Sequence, residues 1–340
     1  MSDQEKRNHV IDKRVGRNVF ATPPKISVVI PAYNSAEYIE EALDSVFGQK
    51  FREHEVIVVN DGSPDTSAFE RAIRTRLEDV IYIRQRNFGA GVARNTAIRH
   101  ARGDIIAFLD ADDVWYPEFL ASQYIFLERH GYDMVYCDAQ LFGMNSAYRR
   151  TFMETAPSEG EATFENLLDL KCNVITSGTM VRKAAIVDAG MFETQKVRAH
   201  DFHLWLRIAK RGGRIGYQRK QLLKYRVHLD SLSGDSISRL ERELDAYHRV
   251  MRTIELNEHE RSIAERRAAG FEADTLVERG KAMLLKGEYR NAATAFRTAN
   301  RHRRSLKLSA VSFMSLIAPR TLTKYYRTHR AAEIAFLPHQ

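Results

Sequence analysis

The chain has 340 residues, of which 44% are hydrophobic and 28% charged, and a formal net charge of +8. That balance excludes a disordered or collagen-like chain and leaves enough apolar mass to bury a core in two domains. Two cysteines, Cys137 and Cys172, are too few for a disulfide framework and lack CxxC spacing, so a reducing cytoplasm suits them.

In chain order, Met1–Thr22 is polar and lacks the apolar core of a signal peptide, so residues 1–24 are expected to be a flexible tail. Ile26-Ser-Val-Val-Ile30 is a strand ended by Pro31. Asn34 and Ser35 are placed to cap a helix from about Ala36 to Gln49, with Ile39, Ala42, Leu43 and Val46 on one stripe. Glu55–Val59 is a second strand, followed by the turn chemistry of Asn60-Asp-Gly-Ser-Pro64 and a helix to about Leu77. A strand near Val80–Arg84, a helix opened by Gly89 and Gly91 and running through Arg99, and a strand over Asp104–Leu109 complete the first third. Alternating strands and helices imply a mostly parallel sheet covered by helices on both faces. Further on, Asp133–Cys137 and Thr176–Val181 look like strands and Asp201–Lys210 like a helix. After Ser236 the chain is helical. Gly287-Glu-Tyr289, Ala292, Phe296 and Ala299 have the spacing of one tetratricopeptide-like helical hairpin. No segment reaches the roughly 18 apolar residues of a membrane-spanning helix.

Ligands of open α/β sheets bind beyond the carboxyl ends of the strands. The loops at Pro31–Asn34, Asn60–Ser63 and Asp110–Asp113 all follow strands, so they should converge on one edge. Asp110, Asp112 and Asp113 then present hard oxygen ligands, which suit magnesium or manganese shared with a substrate's phosphates. The same cluster is also what a capped turn looks like.

Pro31-Ala-Tyr-Asn34, Val59-Asn-Asp-Gly-Ser63, Asn87-Phe-Gly-Ala-Gly-Val-Ala-Arg-Asn95 and Phe108-Leu-Asp-Ala-Asp-Asp113 occur in that order. Together they resemble the family 2 glycosyltransferases of the GT-A fold over about Lys25–Ser233. The resemblance implies that Pro31, Ala32, Tyr33 and Asn34 line a nucleotide pocket and that Asp61 bonds the base. Asn87, Gly89 and Arg94 would lie along the diphosphate, Asp110 and Ala111 on the ribose side, and Asp112 on Mn²⁺ or Mg²⁺. Asp113 is also placed to cap the next helix. An Asx-turn role for Asp61 is compatible with base binding.

His200-Asp201-Phe-His-Leu-Trp-Leu-Arg207 resembles the family's Glu-Asp-x-x-Leu-x-Leu-Arg element, departing from it at His200. The resemblance makes Asp201 the general base for an acceptor hydroxyl. His200 tunes that aspartate or caps its helix. Tyr225-Arg-Val-His228 followed by Ser231-Leu-Ser233 resembles the closing Tyr-Arg-x-His-x-x-Ser element, which puts His228 on the metal or diphosphate. Gly178, His200 and Trp205 fall on the acceptor side, although Trp205 also suits the core.

The implied function is an inverting transfer of sugar from a nucleotide-diphosphate sugar, UDP-linked by family resemblance. The acceptor is a glycan, polysaccharide or lipid-linked hydroxyl in cell-surface polysaccharide synthesis. The expected domains are the tail, a GT-A domain over 25–235 split at 123/124 into donor and acceptor halves, and a basic helical region over 236–340. Residues from Ser236 onward carry 20 Lys/Arg against 12 Asp/Glu, while the rest of the chain balances to zero. That excess suits the anionic inner face of a membrane, and it also suits a plain solvated surface. Nucleic acid is not expected, because no zinc-finger or aromatic RNA-binding pattern accompanies the charge. The alternatives are an inactive GT-A-like chain or a helical-repeat adaptor. A nucleotidyltransferase would need a glycine-rich, lysine-bearing phosphate loop, which Pro31–Asn34 does not supply.

Overall fold

The computed structural model describes residues 10–17, 24–143, 150–195, 199–228 and 236–336. The chain divides into two compact units, Met1–Val227 and His228–Gln340.

In the first unit the elements run β1 Val10–Val15, β2 Ile26–Ala32, α1 Ile39–Phe47, β3 His54–Asp61, α2 Thr66–Ala72, β4 Val80–Gln85 and α3 Ala90–His100. They continue with β5 Ile105–Phe108, β6 Val114–Trp115, α4 Phe119–His130, β7 Met134–Gly143, α5 Phe152–Thr155 and α6 Phe164–Leu168. Last come β8 Thr179–Arg182, α7 Lys183–Asp188, α8 His200–Lys210 and β9 Ile215–Val227. All nine strands form one sheet in the order β1-β4-β3-β2-β5-β8-β7-β9-β6.

The expected α/β fold is present, with the parallel strands expected of its sheet gathered in one half. Strands β4, β3, β2 and β5 run parallel, with Val28 opposite Val56 and Ala107, and Val56 opposite Val80. Beyond β5 the sheet is mixed. Strand β8 is antiparallel to both β5 and β7, and β7 is parallel to β9. Strands covered on both faces need continuous apolar runs, which is why Val28, Val29 and Ile30 are all fully buried.

Residues 10–15 correct the expectation of a flexible tail. They form an edge strand, antiparallel to β4, with Val15 opposite Ile81. Only Val10 and Asp12 are even partly covered, so the strand has no buried face for sequence periodicity to reveal. Helix α1 also starts later than expected. Asn34 adopts left-handed backbone (φ 52°), and its N–H donates to Ser63 Oγ at 2.6 Å. The Ala36 N–H donates to Asp65 Oδ2 at 2.8 Å. The segment is therefore drawn across to the loop after β3, and neither Asn34 nor Ser35 caps the helix.

The second unit is helical, with α9 Ser236–Thr253, α10 Glu258–Leu285, α11 Tyr289–Arg303, α12 Leu306–Ile317 and α13 Pro319–Phe336. Asn257 and Glu260 close a capping box at the start of α10. Helices α10 and α11 pack as the expected hairpin. A Cβ on Gly280 would come within 2.8 Å of the Phe296 ring, so the glycine lets the two helices approach closely. Ala292, Phe296 and Ala299 are fully buried on the same face. Among the described residues no helix is long and apolar enough to cross a membrane.

Candidate active site

The parallel strands deliver the first group of residues. Pro31 is partly covered at the end of β2, Ala32 is buried, and Tyr33 stands 53% exposed beside them. That leaves an aromatic face open at the mouth of the loop. Asp61, at the end of β3, is buried and already engaged. Its Oδ1 accepts from Gln85 Nε2 at 2.7 Å and from the Phe88 N–H at 3.0 Å, and its Oδ2 accepts from the Gly89 N–H at 2.7 Å. A carboxylate has about four lone-pair sites, so Oδ2 keeps room for one donor from a ligand. Gln85 in turn accepts from Thr96 Oγ1 at 2.7 Å, which ties the middle of α3 to Asp61. Asn87 is partly exposed in the same loop, and its N–H lies 2.6 Å from where a Cβ on Gly62 would sit. Gly89 takes the N-cap position with φ 92°, which an L side chain rarely adopts.

Helix α3 then carries Arg94 into the interior. Its side chain is 5% exposed and forms a salt bridge to Asp110. Its Nη1 lies 3.4 Å from His200 Nε2, and the guanidinium stands 5.6 Å from the centre of the Phe192 ring. Next to it, Asn95 makes a two-way bond with the Phe192 backbone. Asn95 Nδ2 donates to the carbonyl at 2.8 Å, and the Phe192 N–H donates back at 2.9 Å. Gly91 permits this approach, because a Cβ there would meet Glu193 O at 2.9 Å and the His200 ring at 3.4 Å. The small residues of this motif therefore bring α8 up to α3.

The acidic run follows β5. Its three carboxylates differ in setting. Asp110 and Asp112 are partly exposed, whereas Asp113 and Ala111 are buried. The Asp110 N–H donates to Ser177 Oγ at 3.0 Å. Asp113 does not cap the next helix, as it was placed to do; α4 begins only at Phe119. Instead Asp113 Oδ1 accepts from the Arg226 N–H at 2.8 Å. The Arg226 side chain donates from Nε to the Asp112 carbonyl at 2.8 Å and pairs with Glu41. Burial, then Asp112, then Asp110 push the Asp113 carboxyl well above the usual carboxylate range. Its Oδ2 is buried with no hydrogen-bond partner among the described residues.

A buried acid beside two further carboxylates is what a hard cation would relieve, so the donor set fits Mg²⁺ or Mn²⁺. No group of three or more His, Cys, Asp or Glu among the described residues could hold a metal alone, so substrate oxygens would have to complete the shell. His228, the other expected ligand, is the first residue of the second unit. Ser231 and Ser233, of the same element, lie outside the described residues.

Asp201 stands in the first turn of α8. Its Oδ2 accepts from Thr176 Oγ1 at 2.7 Å and its Oδ1 from the Phe202 N–H at 2.8 Å. Burial alone would raise this carboxyl. His200, the Thr176 hydroxyl, Arg94 and the Phe202 N–H outweigh burial and hold the carboxyl below its ordinary value. Tyr225 registers the whole cluster. Burial first, then the charges of Asp113, Asp110, Asp112 and Asp201, push its phenol upward. Four carboxylates from two distant segments thus act on one side chain.

The acceptor-side expectations need correction. Trp205 is 2% exposed and packs with Phe108 and Phe192 at 6.0 Å, so it belongs to the core. Gly178 is buried, and a Cβ there would meet Ile175 Cγ2 at 2.9 Å and the Cys137 carbonyl and thiol at 3.3 Å. It is small for packing, not for a substrate. His200 is the first residue of α8 without capping it, and its ring is edge-on to Phe192. Residue reasoning also gave no role to Thr176, Ser177, Asn95 or Arg226, although each lies inside or beside a quoted motif. An open cavity of about 370 Å³ does exist in this half, lined by Asp138, Met153, Pro157, Ser158, Tyr217, Arg219 and Gln221.

Residues 27–189 match the glycosyl transferase family 2 model. An uncharacterised glycosyltransferase of Rickettsia prowazekii is 28% identical over 234 residues, covering 68% of this chain and 72% of the relative. A putative teichuronic acid biosynthesis glycosyltransferase of Bacillus subtilis, TuaG, is 28% identical over 216 residues, 62% of this chain and 82% of that protein. Among solved structures, S. aureus TarS 1–349 in complex with UDP-GlcNAc aligns with a TM-score of 0.55 at 21% identity, covering 90% of this chain and 92% of that one. The mannosyltransferase PcManGT of Pyrobaculum calidifontis, in complex with GDP-Man and Mn²⁺, aligns at 0.59 and 22%, covering 92% and 87%. These two share the fold. The chain carries a family 2 glycosyltransferase domain of the GT-A fold, and it is a glycosyltransferase.

Proposed function

We propose that this glycosyltransferase is metal-dependent and inverting, and that it moves a hexosyl unit from a UDP-linked donor to a hydroxyl of a glycan or lipid-linked acceptor. The observation that carries this reading is the link between the acidic run and Asp201: Arg94 pairs with Asp110 and reaches His200 at 3.4 Å, while the adjacent Thr176 and Ser177 bond Asp201 and the Asp110 N–H. The donor lies over the strand ends. Tyr33 offers its face to the base, Asp61 Oδ2 accepts a base N–H, and Asp110 faces the ribose. Asp112, supported by its neighbours, holds the divalent ion, which when bound offsets negative charge on the diphosphate. Arg94 balances Asp110 and turns positive charge toward the same region.

Asp201 is ionised at neutral pH, oriented by Thr176, and accepts the acceptor hydroxyl's proton as its oxygen attacks the anomeric carbon. One displacement inverts that centre. The acceptor sugar sits in the cavity beside Tyr217 and Asp138. In the sheet register Tyr136 lies opposite Thr179, three residues after the Thr176 that holds Asp201. A role in cell-surface polysaccharide synthesis agrees with the teichuronic acid assignment of the Bacillus relative. A cytoplasmic site, peripheral to the membrane, suits two free thiols and the basic second unit.

Donor screening by thermal shift with manganese tests the donor reading, since a bound donor raises Tm by mass action. Stabilisation by a UDP-sugar that disappears on chelation is expected. Equal stabilisation with and without metal would remove the role of Asp112.

A further inference from the structure

The last helices of the second unit carry a surface that their own packing leaves uncovered. Helix α12 packs Leu308, Val311 and Met314 onto the small core of Leu284, Ala292, Phe296 and Leu322. Its remaining buried positions are serines. Ser312 donates to the Ala293 carbonyl at 2.9 Å, and Ser315 donates to the Val311 carbonyl at 2.8 Å. The largest apolar side chains face outward. Leu306 is 90% exposed, Phe313 61%, Ile317 60% and Leu316 47%. Positions 306, 310, 313 and 317 fall on one helical stripe. A helix that packs one apolar face inward and still exposes phenylalanine and leucine leaves a second apolar face in water. Scattered exposed apolar residues are ordinary, but a continuous stripe on one helix marks an interaction surface.

Charge tells what covers it. From Tyr289 to Ala332 the chain has ten Lys/Arg and no Asp/Glu, whereas Ser236–Glu288 has ten against eleven. The net positive charge of the protein therefore resides with α11, α12 and α13. Arg303 is paired with Asp274, while Arg301, Arg304 and Lys307 are exposed around the start of α12, and Arg320 and Lys324 are exposed just beyond it. Tyr325, 51% exposed, adds an amphipathic ring. The partner must be anionic and apolar at once. Nucleic acid supplies only the charge. An anionic bilayer supplies both, with headgroups for the basic side chains and acyl chains for Leu306, Phe313 and Leu316.

We propose that α12, flanked by these basic residues, docks the protein on an anionic lipid surface. At 12 residues the helix is about 18 Å long. It is too short to span the hydrocarbon and suited to lying along the interface. The proposal deepens the membrane-peripheral reading above and uses neither the donor nor the acceptor assigned there, so its test involves no sugar transfer.

The full chain is floated with vesicles rich in phosphatidylglycerol and with vesicles of phosphatidylcholine alone. Binding to the first and not the second, weakening as salt rises, is expected. F313S/L316S should weaken binding about tenfold or more, with Tm unchanged, because both side chains are already exposed. R304Q/K307Q should weaken it about fivefold for each charge removed. Should the first variant fold poorly, the second carries the test alone. Equal binding to both vesicle types, binding to neither, or unaltered binding by R304Q/K307Q would overturn the proposal. So would a F313S/L316S variant that floats normally but breaks a dimer in sedimentation, since the stripe would then pair two copies of this chain.

Discussion

The two halves of the catalytic unit solve different problems with different backbones. In β4-β3-β2-β5 every neighbour is parallel, so the ends of β2, β3 and β5 lie on one edge. Loops only a few residues long there place Tyr33, Asp61 and Asp110 together. Beyond β5 the sheet is mixed, and Asp201 arrives on a helix held by Thr176 and Arg94, after a segment that Asn95 fixes through the Phe192 backbone. The proposed donor half is positioned by local chain geometry. The proposed acceptor half is positioned by contacts between residues far apart in sequence.

The comparison breaks most visibly at Asp201. Asp201→Asn keeps the shape and removes the proposed base, so kcat should fall by about 10²–10⁴. Donor binding, read by thermal shift, should persist. If donor binding fell as much as turnover, the two halves would not divide the work as described. Arg94 joins the halves, and its loss should touch both. Arg94→Ala should lower kcat/KM by about 10²–10³, the scale for removing a group that stabilises developing charge. It should also weaken donor stabilisation, because Asp110 loses its partner. A loss confined to the acceptor KM would contradict that bridging role.

How much of this was legible in the sequence follows the same division. Asp61 ends a buried strand and Asp110 and Asp112 follow one, each within a recognisable run, so local pattern alone singles them out as candidates. Asp113 was seen, but its direction was not. Its bond goes to Arg226, 113 residues away, and no local pattern encodes that. Ser177 is likewise 67 residues from the Asp110 N–H that it receives. Trp205 and Gly178 were drawn to the acceptor because aromatic and small residues suit sugars. Both serve the core, where volume decides. The edge strand Val10–Val15 escaped because hydrogen bonding to β4, not burial, holds it.

The cavity of the acceptor half gives a smaller effect that sharpens the contrast. Tyr217 stacks on Tyr136 at 5.1 Å and lines the open space with Asp138 and Arg219. Tyr217→Ala should raise the acceptor KM several-fold, the scale of losing about 1 kcal/mol of ring contact. The donor KM should stay put. A matching rise in donor KM would move the cavity to the other substrate.

The smallest effect concerns charge on the base itself. Asp201 must be ionised to accept a proton, and its folded value is depressed even though burial opposes this. Its contribution to activity is therefore complete above the ordinary aspartate range and is lost only as pH falls through a still lower value. On this account kcat/KM keeps its level on the acid side through the whole range in which an ordinary aspartate would protonate. His200 is the first of the groups that hold Asp201 down, ahead of the Thr176 hydroxyl. His200→Gln should move the acid limb upward, and Thr176→Val should move it the same way by less. Neither substitution touches the strand-end loops, so donor stabilisation at neutral pH should be unchanged. A limb that stays fixed in both variants would mean that the acceptor half orients Asp201 without setting its charge.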